Sequence, residues 1–408
     1  MTKENMMKVL EDTAYVRWGG SAEELRTAEY IRDRIGAMGM EAKIVPFEVP
    51  MANMEEAHLV VDGREIPCKG YLCAGNWETE APFYYLRDKD KLSLSLCKGK
   101  IVMVDGYLGY WLYQDILESG AVGFITYSGD PNFADSDIDQ RELRSYVHNG
   151  NRLPGVNINV RDAIELIRSG ASSAKITLKQ EEYTGNSHNV ILEIPGEVEE
   201  YIAFTAHYDS TALSQGAYDN MSGSIGLLAL AEHFAKNPHR FGLRFIWCGS
   251  EERGLLGSKA YCANEDNLKG CVLNINLDMI GCIMGKFAAC CTAEEALVSY
   301  IKYLCDELGF PAHVFQEIYS SDSTPFADKG VPAVSFARWS PGNTAPIHCR
   351  YDTMAVMSGK QLKEDIAFIT VFADRMANAF RCPVAKTIPD NIKQRLDEYL
   401  NRKRPEKK

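Results

Sequence analysis

The chain has 408 residues, a hydrophobic share of 46%, a charged share of 25% and a net charge of −12. That is long enough for a large core and more than one domain, and the acidic balance excludes nucleic acid as the main partner, since neutralising phosphates takes clustered Lys and Arg. No apolar run reaches the length of a membrane span, so no membrane partner is expected.

Residues 1–5 lack the apolar stretch of a signal peptide. The twelve cysteines show no zinc-ribbon spacing, and Cys248, Cys271 and Cys282 sit in apolar strand-like runs where a free thiol acts as a small hydrophobe. The expectation is a reduced, cytoplasmic protein. Ser21 with Glu24 three residues later forms a capping box, and Leu25, Ala28, Ile31, Ile35 and Met38 follow at helical spacing until Gly39. Residues 42–49 alternate like a strand. From about 50 to 184 the pattern changes to short strands and turns, with a buried strand at 99–106 (GKIVMVDG), a helix at 110–119 and a strand at 120–127 (GAVGFITY). Its flanks, 47–50 and 183–186, read as connectors, so 50–184 is expected to be an insert in a domain made of 1–49 and 185–408. Beyond it, strands at 189–194, 202–207, 243–248 and 271–277 alternate with helices at 220–236, 255–263, 293–308 and 359–380. That alternation predicts an α/β fold, a mostly parallel twisted sheet with helices on both faces. The basic end, 402–408, reads as a solvated tail.

Five short stretches carry the chemistry: Ala206-His207-Tyr208-Asp209-Ser210, Tyr218-Asp219-Asn220, Gly249-Ser250-Glu251-Glu252, Asn276-Leu277-Asp278-Met279 and His348-Cys349-Arg350-Tyr351-Asp352-Thr353. A pair of zinc ions sharing one carboxylate needs roughly five ligands, with one further carboxylate left as base. His207, Asp219, Glu252, Asp278 and His348 supply the ligands, and Glu251 is the spare. Several of these residues follow predicted strands, where open α/β sheets bind their ligands. Each stretch alone has an ordinary explanation: a His-x-Asp is usually structural, and paired glutamates are usually an exposed turn. Asp278 is harder to dismiss, because a carboxylate in an apolar run is costly unless paired or bound to a cation. Asp209 can accept from the imidazole nitrogen of His207 that is not on a metal. The other six histidines, His58, His148, His188, His233, His239 and His313, lack such company.

These motifs resemble the co-catalytic zinc aminopeptidase family, which also contains glutamate carboxypeptidase, glutaminyl cyclase and the catalytically dead transferrin receptor. The resemblance extends to Arg17-Trp18-Gly19-Gly20-Ser21 and to the stretch from Ser187-His188-Asn189 through Pro195-Gly196. It implies a zinc-peptidase, phosphorylase/hydrolase-like fold, with residues 50–184 as an inserted β-rich protease-associated domain that holds no metal ligand. It also implies two zinc ions: His207 and Asp278 on one, Glu252 and His348 on the other, Asp219 bridging, and Asp352 in support. The peptide bond after Asp219 is expected to be cis. The zinc ions would activate a water and polarise the scissile carbonyl, Glu251 would take the water's proton, and Tyr319 is a candidate donor to the oxyanion. Ser323 stands where many members have histidine, which bears on the substrate pocket.

An acidic site suits a peptide's free N-terminal ammonium, which favours an aminopeptidase. A carboxypeptidase would want arginines at the product carboxylate, with Arg338 and Arg350 as the late candidates. Glutaminyl cyclase-like acyl transfer looks like one-metal chemistry without the first histidine, and His207 argues against it. A non-catalytic, receptor-like chain is disfavoured by the complete ligand set.

Overall fold

The computed structural model describes residues 1–405. The last three residues of the basic end lie outside them. Within that end residues 402–405 are exposed, as a solvated tail should be, and Arg402 also donates two hydrogen bonds to Asp328, of 2.6 and 2.7 Å. The described residues divide into two compact units, one of Met1–Val49 with Asn186–Pro405, the other of Pro50–Gly185.

In the first unit the strands lie in the order His313–Gln316, Lys286–Thr292, Ala333–Trp339, Cys271–Leu277, Tyr201–His207, Gly242–Cys248, and then the end of Ser173–Ile194. The central pairings are parallel. Antiparallel pairs bring in Lys286–Thr292 and the Ser173–Ile194 strand. The strand Tyr201–His207 is buried along its whole length, as a central strand covered on both faces must be. Successive side chains point to opposite faces, and the packing shows it. Ile202, Phe204 and Ala206 join a core with the helices Ala22–Gly36, Ser222–Phe234 and Gly359–Ala377, through residues such as Ile31, Leu228 and Phe372. Tyr201 and Ala203 join another with Tyr261, Cys262 and Phe326. Each such Ile or Phe contributes about 1.5–3 kcal/mol when fully buried.

The capping box is present in half of its form. Ser21 Oγ accepts from Glu24 N at 3.1 Å, but the Glu24 carboxylate turns to Gly20 N (2.9 Å) and to the Ser187 hydroxyl. That helix stops at Gly36, and its expected last turn is irregular. The helix expected from 220 begins regularly only at Ser222, because Asp219 and Asn220 have non-helical backbone angles.

In the second unit part of Ser173–Ile194 pairs with Trp77–Tyr85, followed by Ile101–Met103, Gly123–Ser128, Gly155–Asn159 and Cys68–Gly70. Val102, Tyr113, Phe124, Val156 and Leu166 build its core. Two helices, Tyr110–Glu118 and Val160–Arg168, accompany the strands, so the unit is not purely β. The stretches 47–50 and 183–186 do hold the divisions between the two units, but as strand and not as turn. They lie inside the continuous strands Ala42–Val61 and Ser173–Ile194. Pro50 and Gly185 look like turn punctuation, yet proline tolerates extended backbone at places where its N–H is not needed. Gly185 allows a close approach, since a Cβ there would lie 2.7 Å from Met51 Cγ. All twelve cysteines are free thiols, and no described helix is long and apolar enough to cross a membrane.

Candidate metal centre

Strand register brings the first residues of the site together. His207 lies opposite Cys248 at the ends of two parallel strands. Asn276 lies opposite Thr205, so two residues further on Asp278 is level with His207. The chain then turns sharply. Ser250, Met279 and His348 are non-glycine residues in the left-handed region, with φ of 53°, 61° and 57°. Such conformations cost of order 1–3 kcal/mol each and persist where the surroundings impose them. Here they fall at or beside Glu251, Asp278 and His348.

Asp219 is shared between two groups of side chains. Its Oδ1 is 3.2 Å from His207 Nε2, and its Oδ2 is 3.1 Å from His348 Nε2. Asp278 Oδ1 is 3.6 Å from His207 Nε2, and Glu252 Oε2 is 3.1 Å from His348 Nε2. His207, Asp219 and Asp278 thus form one cluster able to hold a metal ion, and Asp219, Glu252 and His348 form a second. Both lie in the first unit, and none of the other six histidines joins either. His207, Asp219 and Asp278 are buried, whereas the His348 side chain is 49% exposed and marks the open side. Glu251 Oε2 sits 3.9 Å from His207 Nε2.

Asp209 is 3.4 Å from His207 Nδ1 and also accepts the main-chain N–H groups of Glu251 (3.0 Å) and Glu252 (3.2 Å). Asp352 does the same for the shared aspartate, taking the N–H of Tyr218 on Oδ1 (2.7 Å) and that of Asp219 on Oδ2 (3.1 Å). The peptide bond between Asp219 and Asn220 is cis, as the resemblance implies. The Asn220 side chain donates to Leu277 O (2.9 Å) and accepts from Met279 N (3.1 Å), joining the shared aspartate to the Asp278 turn.

Crowded carboxylates give the site its electrostatics. Burial pushes the His207 pKa down, but Glu251, Asp209, Asp219 and Asp278 outweigh it and hold the imidazole well above its ordinary value. His348 is raised by Glu252 first and then by Asp219, against its burial. Burial, with Glu252, Asp322 and Asp278, raises Glu251 well above the usual carboxylate range, opposed by His207. The Asp278 Oδ1 atom is buried with no hydrogen-bond partner. A buried orphan oxygen facing an imidazole, inside a surplus of negative charge, fits a divalent cation. The nitrogen and oxygen donor set suits zinc.

Tyr319 stacks on Trp339 with ring centroids 6.4 Å apart, and its hydroxyl accepts from Trp339 Nε1 at 3.5 Å. Burial and then the charge of Asp278 push its pKa well up, so it is a neutral O–H donor. Ser323 is buried and bonded to Ser335 at 2.8 Å, within a polar cluster that includes Asn276 and Ser321. It therefore faces the protein interior.

Several supporting groups had no readable signal. Asp322 is fully buried, and burial with Asp278 and Asp209 pushes its pKa up to about 6 against the pull of His207 and Ser258. Arg338 is locked to buried Asp365 by three hydrogen bonds of 2.5 to 3.0 Å, and Asp365 also takes Gly281 N (2.9 Å). Periodicity marks neither partner.

Two clusters of buried acids and histidines, joined by one aspartate at the strand ends of an α/β sheet, define a two-metal hydrolase. Residues 189–371, which contain all five proposed ligands, match the model of Peptidase family M28. Over that stretch, which is less than half of its length, the chain is similar to the co-catalytic zinc peptidases. It is 27% identical to aminopeptidase YwaD of Bacillus subtilis (strain 168), over 94% of this chain and 86% of that protein. The fold is shared with BSAP, a zinc aminopeptidase from Bacillus subtilis, at a TM-score of 0.77, 23% identity and coverage of 96% of this chain and 98% of that one. An aminopeptidase from Aneurinibacillus sp. strain AM-1 shares it at a TM-score of 0.73, 24% identity and coverage of 94% and 96%.

Proposed function

We propose that the chain is a zinc aminopeptidase that releases residues from the free N-terminus of peptides. In this reading His207, Asp278 and Asp219 hold one zinc, and Asp219, Glu252 and His348 hold the other. The zinc pair, when bound, supplies Lewis acidity toward a water and the scissile carbonyl. Glu251 accepts the proton of that water and returns it to the leaving amine. Burial and neighbouring carboxylates raise its proton affinity, the direction a general base needs. Asp209 sets the base by gripping its main-chain N–H while orienting His207. Tyr319 offers its O–H to the developing oxyanion.

The observation that carries the choice of peptide end is the occupation of Arg338. Its guanidinium is held by Asp365 and by Gly285 O (2.8 Å), so it cannot also clamp a substrate carboxylate. Arg350, the other arginine weighed for that task, is an exposed residue of the loop after His348. The carboxylates of the centre suit an ammonium group instead. The deciding experiment compares one peptide in four forms, with the N-terminus free or acetylated and the C-terminus free or amidated. Acetylation is expected to abolish hydrolysis and amidation to leave it intact. Cleavage of the acetylated peptide from its free C-terminus would overturn the reading. The bland alternative, an exopeptidase blind to the terminal charge, would cleave all four alike.

A further inference from the structure

Behind the ligands lies a buried cation that the proposed reaction does not use. Arg17 is fully buried. Its Nε donates to Tyr208 O (2.7 Å), its Nη2 to Gly216 O (3.0 Å), and its Nη1 to Thr13 O (2.8 Å), Tyr15 O (3.0 Å) and Gln215 O (2.5 Å). The main chain joins in: Arg17 N donates to Ser210 Oγ (3.0 Å), and Ser210 N donates back to Arg17 O (3.1 Å). The Ser210 hydroxyl passes the link on to Ser214 O at 2.8 Å.

One side chain therefore holds both ends of the loop 208–216. At its start is Asp209, which grips the main chain of Glu251 and Glu252. At its end, Gly216 O receives Met221 N (2.9 Å) and so closes the turn that contains Asp219. The seat is tight, since a Cβ on Gly216 would lie 2.8 Å from Arg17 Nη2. Only a planar fork of five N–H donors reaches carbonyls on so many sides, and a lysine with three donors does not. Burial lowers the Arg17 pKa to about 10, with Asp352, Asp209 and Asp219 opposing the fall, so the group stays cationic at neutral pH.

We propose that Arg17 is a positioning residue of the catalytic centre, fixing the loop 208–216 so that Asp209 and Asp219 present their carboxylates together. This rests on the two-metal peptidase reading. Misplacing reacting groups by about 1 Å can cost on the order of 10²-fold in rate, so a loosened clamp acts on turnover more than on substrate affinity.

The test uses Arg17→Lys in the full chain, with the metal sites loaded by zinc and, separately, by cobalt. The expected result is retained metal at saturating concentration, KM within about twofold, kcat lowered about 10–100-fold, and an altered intensity of the cobalt d–d absorption bands. A variant that only melts earlier, with kcat and the cobalt spectrum unchanged, would show a purely structural arginine and overturn the proposal. Should Arg17→Lys fail to fold, Ser210→Ala keeps the cation and removes only the hydroxyl link. It is expected to change the cobalt spectrum and lower kcat a few-fold, and no change in either overturns the proposal. The cobalt spectrum does not depend on the substrate. A spectrum that responds in a chain inert toward every peptide would refute the peptidase reading and leave the positioning role standing.

Discussion

Replacing Asp352 by asparagine tests the hold on the shared aspartate. Its two carboxylate oxygens each accept a different main-chain N–H, from Tyr218 at 2.7 Å and from Asp219 at 3.1 Å, in a buried site. Asparagine offers one oxygen and one NH2 group, so one of those N–H groups must face a donor. A buried donor without an acceptor costs about 1–3 kcal/mol. In the metal-free chain the turn at Asp219 can swing away and let water reach the orphaned N–H. Binding metal draws it back, so the penalty appears in affinity. At 1.4 kcal/mol per factor of ten, the expected loss is about 5–150-fold in zinc affinity. Both ions should weaken together, because Asp219 faces both histidines. Zinc competition against a chromogenic chelator measures this, with circular dichroism confirming the fold. A folded variant that binds two zinc ions as tightly as the parent would refute the reasoning.

Glu251→Gln should keep both zinc ions while kcat falls about 10²–10⁴-fold, because it removes a proton acceptor and no ligand; near-normal turnover of the metal-replete variant, measured by amine release, would remove Glu251 from the mechanism. Asp219→Ala should empty both sites, and unchanged zinc content by plasma emission would contradict the bridging role. Gly19→Ala should lower both the melting temperature and kcat, since the added Cβ strikes the Ser250 hydroxyl and lies 2.8 Å from Ser250 Cβ, one residue before the base. Ser250→Gly in the same chain should restore part of both, and a Gly19→Ala variant with parental activity would show that the Ser250 turn yields freely.

The sheet was legible because its central strands are largely apolar stretches followed by polar residues, as in residues 201–207 and 271–277. The candidate site was legible as a set of residue types, since histidines and carboxylates at strand ends are unusual enough to be noticed together. What stayed hidden is main-chain chemistry. Nothing in the spelling of residues 13–17 says that an arginine will reach carbonyls almost two hundred positions away, and Asp365 in the middle of a helix gives no sign that it neutralises Arg338. That the connectors at 47–50 and 183–186 are strand was hidden for a related reason. Proline and glycine mark turns on average, but the same residues serve extended chains wherever a donor is dispensable or a neighbour comes close.

The separation of Arg17 from Ser210, 193 positions along the chain, has a consequence in time. A ribosome adds about 5–20 residues per second, so roughly 10–40 s pass between the emergence of the arginine and that of the loop it clamps. During that interval the unit Pro50–Gly185, which has a core of its own, can emerge and fold. The first 49 residues meanwhile carry a cation and an amphipathic helix with no destination. Their apolar faces stay open to chaperones and proteases until the helices Ser222–Phe234 and Gly359–Ala377 arrive to cover them.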